Sequence, residues 1–381
     1  MDRDVSKINS SAFIQLPYAP TLPIARLARL FASTSASYKF FWFKALFERA
    51  AAGERVMTYR DLAGDMITEA WYMVTEYHLS LGATDQLQHL VLSLQARFGL
   101  KSSERAQVIL EHLKRCDDPD ILRQEEGLLN MVPYRLQSAF LPEVGRAGVY
   151  AGTPRAQILR LNAYRDLMYY YSEYRRLDTT ITMDPAWMDY LTQNQEIIRG
   201  WLSYSLIRYL QARNPSVPGI ADKLTPPAAR DLTSVKRYWK ILLAVHPVPD
   251  IYTGQLMDGH DFSVDHFVPW SYVAHDELWN LSPTTRSVNS SKNSDLPAWE
   301  RYFPRLQRQE YALYTEIWKR DTVRAAFRKC ADHNLNDERV RATLYREGQT
   351  EQQFSAQLEE ILSPVYRSAR NCGFREWHAA E

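Results

Sequence analysis

Three cysteines in 381 residues, Cys116, Cys330 and Cys372, stand too far apart to offer any zinc-ligand spacing. Their scarcity favours a reducing compartment. No apolar run approaches the roughly twenty residues that a membrane span requires. The opening stretch MDRDVSKINS lacks a signal-peptide core, so a cytoplasmic protein is expected. Net charge is also missing, with 46 Lys and Arg against 45 Asp and Glu giving +1. That balance argues weakly against a chain that coats nucleic acid, although the distribution of charge matters more than the total. No GxxxxGK[ST] loop is present, which excludes an ATP-driven motor of that type. Internal repeats and low-complexity tracts are absent as well. The 45% hydrophobic content describes a globular protein with room for two or three domains.

The periodicity predicts a mainly α chain carrying one small α+β module. Helices are expected over 24–32, 38–51, from Thr58 to about Leu79, 84–97 and from Ser102 or Ser103 to Arg115, making an N-terminal helical domain of residues 1–118. Asp117-Asp118-Pro119-Asp120 breaks it, and a middle segment of residues 119–245 follows. There, residues 157–164 and 177–183 read as short strands. Asp184 and Pro185 open a long helix that stops near Asn214-Pro215, and the linker PSVPGIADKLTPPAAR precedes a helix over 232–245. The tyrosines Tyr169, Tyr170, Tyr171 and Tyr174 suit core packing better than base stacking. Residues 246–303 form the α+β module, and 304–381 a C-terminal helical segment with helices over about 304–330 and 337–362.

Chemistry concentrates between Phe262 and Pro297, FSVDHFVPWSYVAHDELWNLSPTTRSVNSSKNSDLP. Phosphodiester hydrolysis needs an activated water and a cation that offsets charge on the phosphate. His266, with an ordinary pKa of about 6.5, suits the first task, and the hard oxygen of Asp265 suits Mg²⁺. Strand neighbours point to opposite faces, so the backbone is expected to leave strand geometry near this pair. Residues 250–255 and 262–266 read as a hairpin around Met257-Asp258-Gly259-His260. Thr284 or Thr285 caps a helix that carries Arg286, Asn289 and Lys292 on one face, where the amide oxygen of Asn289 can join Asp265 on a metal and Lys292 and Arg286 lie near phosphate oxygens. An isolated Asp-His pair would more often be a surface hydrogen bond; four residues in order change that balance. His260 and His275 read as ordinary turn residues.

This stretch resembles the HNH, or ββα-metal, endonucleases, in their Asn-terminated form. Over roughly residues 248 to 300 the resemblance assigns Asp265 and Asn289 to the metal, His266 to the general base and Asn280 to a brace that keeps the base oriented. It implies Mg²⁺ or Mn²⁺ and products with 3′-hydroxyl and 5′-phosphate ends. Many members hold the fold with zinc on flanking Cys-x-x-Cys pairs. Here Tyr252-Thr253-Gly254 stands where the first pair would fall, so no structural zinc is expected and hydrophobic packing by Trp270, Tyr272, Leu278, Trp279, Leu281 and Leu296 must take its place.

The expected activity is metal-dependent cleavage of DNA, in a setting such as bacterial anti-phage defence or restriction. A regulated effector nuclease sensing a partner or ligand through its helical region, an RNA-cutting nuclease and a non-catalytic DNA-binding protein are the alternatives. Double-strand cutting by a one-site nuclease would call for a homodimer. From Thr285 to Lys329 ten basic residues face five acidic ones, which suggests a phosphate-tracking surface that includes Arg301, Arg305, Arg320 and Arg324.

Overall fold

The structure, a computed structural model, describes residues 15–32, 34–141, 146–226, 230–257 and 259–379. Asp258 of the expected Asp-Gly turn lies outside the described residues. The protein is mainly α, with few and short strands. It divides into two compact units, residues 1–75 with 80–213, and residues 76–79 with 214–381. The boundaries expected at 118 and 303 therefore fall inside units, because the segments on either side share a core.

In the first unit the helix Tyr38–Ala51 buries Phe40, Phe41, Trp42, Phe43, Leu46 and Phe47. A helix apolar on so many sides belongs at a centre. It packs on Tyr59–Thr75, Pro185–Gln193 and Gln195–Arg213. Thr58 caps Tyr59–Thr75 by accepting from the amide of Asp61 at 3.0 Å. The strand Thr180–Met183 lies between Val56–Thr58 and Tyr169–Tyr171, antiparallel to both. Tyr169 and Tyr171 are buried, and the Trp42 indole donates to the Tyr169 hydroxyl at 3.0 Å, as a core role requires. The strand expected over 157–164 is a helix, Pro154–Leu161. Thr153 caps it and Pro154 occupies its first turn, a start signal that outweighs the local β character.

The three longest expected helices are each broken. Asn194 separates Pro185–Gln193 from Gln195–Arg213 and turns its side-chain amide onto the carbonyl of Tyr190 at 2.8 Å. Arg320, in extended conformation, parts Trp299–Lys319 from Asp321–Asn334. Between Glu338–Leu344 and Glu351–Asn371 the chain turns through Gly348 at φ 83°.

The second unit wraps the α+β module in helices. The stretch from Asn214 to Leu224 is no free linker, since Val217, Ile220 and Lys223 are buried in it. Lys223 donates to the carbonyl of Tyr272 at 2.6 Å and to that of Pro218. Gly219 sits at φ 60°, and a Cβ there would meet that of Ala274 at 2.6 Å, so close approach demands glycine. Aromatic rings supply much of the packing: Phe267 meets Trp299, Phe303 and Tyr366, while Tyr252 meets Tyr302 and Trp377. The C-terminal strand Glu376–Trp377 pairs in parallel with Leu296–Pro297. Of the six residues expected as module core, Tyr272, Leu278, Trp279, Leu281 and Leu296 are buried. Trp270 is only half-buried, because it lines a pocket instead.

One buried carboxyl gives the second unit a pH dependence. Glu310, on Trp299–Lys319, is 5% exposed, and burial pushes its carboxyl well above the usual range. No hydrogen bond reaches its Oε1 among the described residues. A folded-state pKa raised above the unfolded value means that the folded chain keeps a proton the unfolded chain releases. Stability is then full below about pH 4.3 and falls as pH rises toward the folded value. Glu310→Gln removes that slope, so urea unfolding between pH 4 and 8 is expected to show the variant gaining on wild type as pH rises. A constant difference across the range would rule the account out.

Candidate active site

The module is built on two antiparallel strands, Ser263–His266 and Leu281–Thr284, followed by the helix Arg286–Lys292. Asp265 faces Ser282 and His266 faces Leu281 in the register. The expected hairpin of 250–255 with 262–266 is therefore not the one formed. Val248–Pro249 pairs with Leu256–Met257 in a small hairpin of its own, which Asp250 closes by accepting from the amide of Tyr252 at 2.8 Å. Its other carboxylate oxygen accepts from the Thr284 hydroxyl at 2.9 Å, tying the hairpin to the second site strand. Regular strand geometry runs through both members of the Asp265-His266 pair, and the chain leaves it at Phe267.

Asn280 secures that departure. Its side-chain amide forms a closed pair with Val268, accepting from the amide and donating to the carbonyl, both at 2.8 Å. Its backbone carbonyl accepts from the amide of Phe267 at 2.8 Å. Asn280 is fully buried, so no water can replace these bonds.

A pocket of about 220 Å³ brings Asp265, His266 and Asn289 together, with Arg230, Glu76 and Trp270 on its wall. A larger cavity of about 630 Å³, lined by Tyr272, His275 and Trp279, contains none of the motif residues. Size therefore does not identify the site, and chemistry does.

His266 is 5% exposed and held at both ring nitrogens. Nε2 lies 2.7 Å from Oδ1 of Asp276, and Nδ1 lies 3.3 Å from a guanidinium nitrogen of Arg230. A carboxylate can only accept and a guanidinium can only donate, so the proton sits on Nε2 and the lone pair on Nδ1. Burial holds the imidazole below its ordinary pKa; the Asp276 hydrogen bond opposes this and the Arg230 charge adds to it.

Asp265, 3% exposed, accepts from the Tyr252 hydroxyl at 2.5 Å and from the Lys292 ammonium at 3.2 Å. Lys292 also donates to the carbonyl of His266 at 2.8 Å and is fully buried. The expectation that Lys292 reaches phosphate is thereby corrected: its ammonium is turned inward and spent on the first site strand. Arg286, by contrast, is 81% exposed and pairs at 3.4 Å with the equally open Asp261.

Asn289 projects from the site helix, which Thr285 caps through the amide of Val288. Its Nδ2 donates to the Ser263 hydroxyl at 2.7 Å, which aims Oδ1 away from that bond. Asp265 retains lone pairs beyond the two it uses, so one carboxylate and one amide oxygen are available to a hydrated divalent cation. Mg²⁺ commonly binds with few protein ligands and several waters. No group of three or more His, Cys, Asp or Glu able to hold a metal occurs among the described residues. A single-carboxylate donor set does not require such a group.

Three arginines of the basic stretch are committed elsewhere. Arg305 donates to the carbonyls of Ile251 and Tyr252, Arg320 to Glu316, and Arg324 to the carbonyls of Ile317 and Trp318. These side chains hold the hairpin and helix ends, not a continuous phosphate track. Sequence reasoning missed Arg230, Tyr252 and Asp276, whose identities carried no spacing signal. Asp276 lies ten residues beyond its partner, past the short helix Trp270–Val273, and Arg230 lies further upstream.

Among the described residues no helix is long and apolar enough to cross a membrane. A family model described as HNH endonuclease matches residues 250–298. No curated protein and no solved structure matches the chain. The strand pair, the capped helix and the matched segment coincide, so residues 250–298 make up an HNH endonuclease domain within the chain.

Proposed function

We propose that the protein is a metal-dependent endonuclease that hydrolyses phosphodiester bonds of DNA, with His266 as general base, Asn280 as its brace, and Asp265 and Asn289 as metal ligands. The observation that carries this reading is the convergence of Asp265, His266 and Asn289 on one polar pocket, with the basic nitrogen of His266 fixed as Nδ1. Asp276 orients the ring and balances the charge it gains, so a proton taken from water at Nδ1 is stabilised as it arrives. The water oxygen bonds to phosphorus, the bond to O3′ breaks in line, and the leaving oxygen takes a proton from solvent. Asn280 keeps the loop after His266 from shifting, which preserves the angle of attack. Arg286 is an exposed candidate for a flanking phosphate. Mg²⁺ or Mn²⁺, held by Asp265 and Asn289, would supply charge neutralisation on the phosphate and the leaving oxygen.

The test is incubation of the full chain with plasmid, linear and single-stranded DNA and with RNA, in Mg²⁺ and in EDTA. DNA cutting in Mg²⁺ that stops in EDTA, leaving 5′-phosphate ends, is the expected result. Cutting that continues unchanged in EDTA would remove the metal from the account, and preference for RNA would replace the substrate.

A further inference from the structure

With Lys292 turned inward, the site needs another cation to meet the phosphate, and Arg230 is placed to be it. Its guanidinium nitrogen stands 3.3 Å from Nδ1 of His266, and its guanidinium carbon lies 5.5 Å from the centre of the Trp270 ring. Arg230 lines the same pocket as Asp265, His266 and Asn289. No carboxylate pairs with it among the described residues, and neighbouring Asp231 instead accepts from the amide of Thr233 at 2.9 Å. A guanidinium without a carboxylate, steadied on an aromatic face and pointed into a polar pocket, is a seat for an oxyanion.

We propose that Arg230 binds a non-bridging oxygen of the scissile phosphodiester, and that in doing so it leaves the Nδ1 lone pair of His266 free for the attacking water. The inference rests on the nuclease reading above and deepens it. In the substrate-free site the Arg230 N–H occupies the lone pair that must receive the proton, so the base is covered. A phosphate oxygen is a stronger acceptor for a guanidinium than a neutral imidazole nitrogen, because that hydrogen bond is charge-assisted on both sides. The incoming backbone therefore draws Arg230 away from the base as it binds. Trp270 is where the guanidinium rests in either arrangement.

Two substitutions separate this role from a merely structural one. Arg230→Gln keeps an N–H that can cap Nδ1 but has no charge; Arg230→Lys keeps the charge but loses the planar fork. With the full chain in Mg²⁺, Arg230→Gln is expected to lower kcat/KM on the order of 10- to 100-fold, with a raised KM, while Arg230→Lys recovers part of the loss. A binding arm runs in a His266→Ala background in EDTA, with a fluorescent DNA oligonucleotide followed by anisotropy across salt concentrations. Removing one phosphate contact should flatten the slope of log affinity against log salt by about 0.7 to 0.9. Arg230→Gln with wild-type kcat/KM, or with an unchanged salt slope, overturns the proposal and leaves Arg230 as a cap on the imidazole. If the wild-type chain cuts no nucleic acid, the nuclease reading fails on its own. The salt slope then decides Arg230 alone, and lack of measurable DNA binding by the Arg230 protein counts against it.

Discussion

His266→Ala is expected to cut DNA more slowly than wild type by about 10² to 10⁴, with little change in DNA affinity. The reason is the local wiring of the imidazole. Burial and the Arg230 charge keep the ring neutral, Asp276 fixes its tautomer, and Asn280 fixes the backbone that carries it. Alanine removes the proton acceptor but leaves Asn280, Asp265 and the strand register untouched, so the effect should fall on kcat. Asp276→Asn offers a graded companion. It keeps a hydrogen-bond acceptor for Nε2 but removes the charge that stabilises the protonated ring, so it should lose less than the His266 variant. Single-turnover cleavage with enzyme in excess measures both. An alanine variant that cuts at the wild-type rate would falsify the assignment of His266 as base, whatever the fate of the metal.

The site was legible where a residue's neighbours in sequence determine its role. Thr285 precedes its own helix, Asn289 sits one turn inside that helix, and the order of Asp265, His266, Asn280 and Asn289 follows the order of the elements. The strand pairing was less legible, because a strong local turn signal at Met257-Asp258-Gly259 favoured a hairpin. The alternative partner, Leu281–Thr284, lies across a loop whose closure depends on the buried amide of Asn280. Partners distant in sequence were invisible. Nothing in the residue types around Arg230 or Tyr252 says that one meets His266 and the other Asp265. In the fold, the same limit explains the broken helices. A hydrophobic period continues across Arg320 and Asn194, and the breaks come from an extended backbone and a side-chain hydrogen bond that periodicity does not encode.

Lys292 is the residue whose role changed most, and it supplies the second large effect. Lys292→Met, which keeps an unbranched chain and deletes the ammonium, is expected to destabilise the second unit by about 3–5 kcal/mol, the usual cost of stripping one partner from a buried ion pair. Asp265 would keep only the Tyr252 hydroxyl, and the carbonyl of His266 would lose its donor. A solvent-facing lysine that merely touched phosphate would cost within about 0.5 kcal/mol and show itself in DNA affinity instead. Activity alone cannot separate these cases, since a collapsed site and a weakened phosphate contact both slow cutting. Stability can. Because the chain has two units, one global unfolding midpoint would blur the effect, and amide hydrogen exchange along Ser263–His266 gives the local reading. Those amides should exchange on the order of 10² to 10³ times faster in the variant, a change of about 3–4 kcal/mol where exchange reports opening free energy. Adding Asp265→Asn should then restore part of the protection, because it removes the charge left without a partner. If the single variant keeps wild-type protection, the ammonium does not hold the strand, and Lys292 returns to the phosphate role that the sequence first suggested.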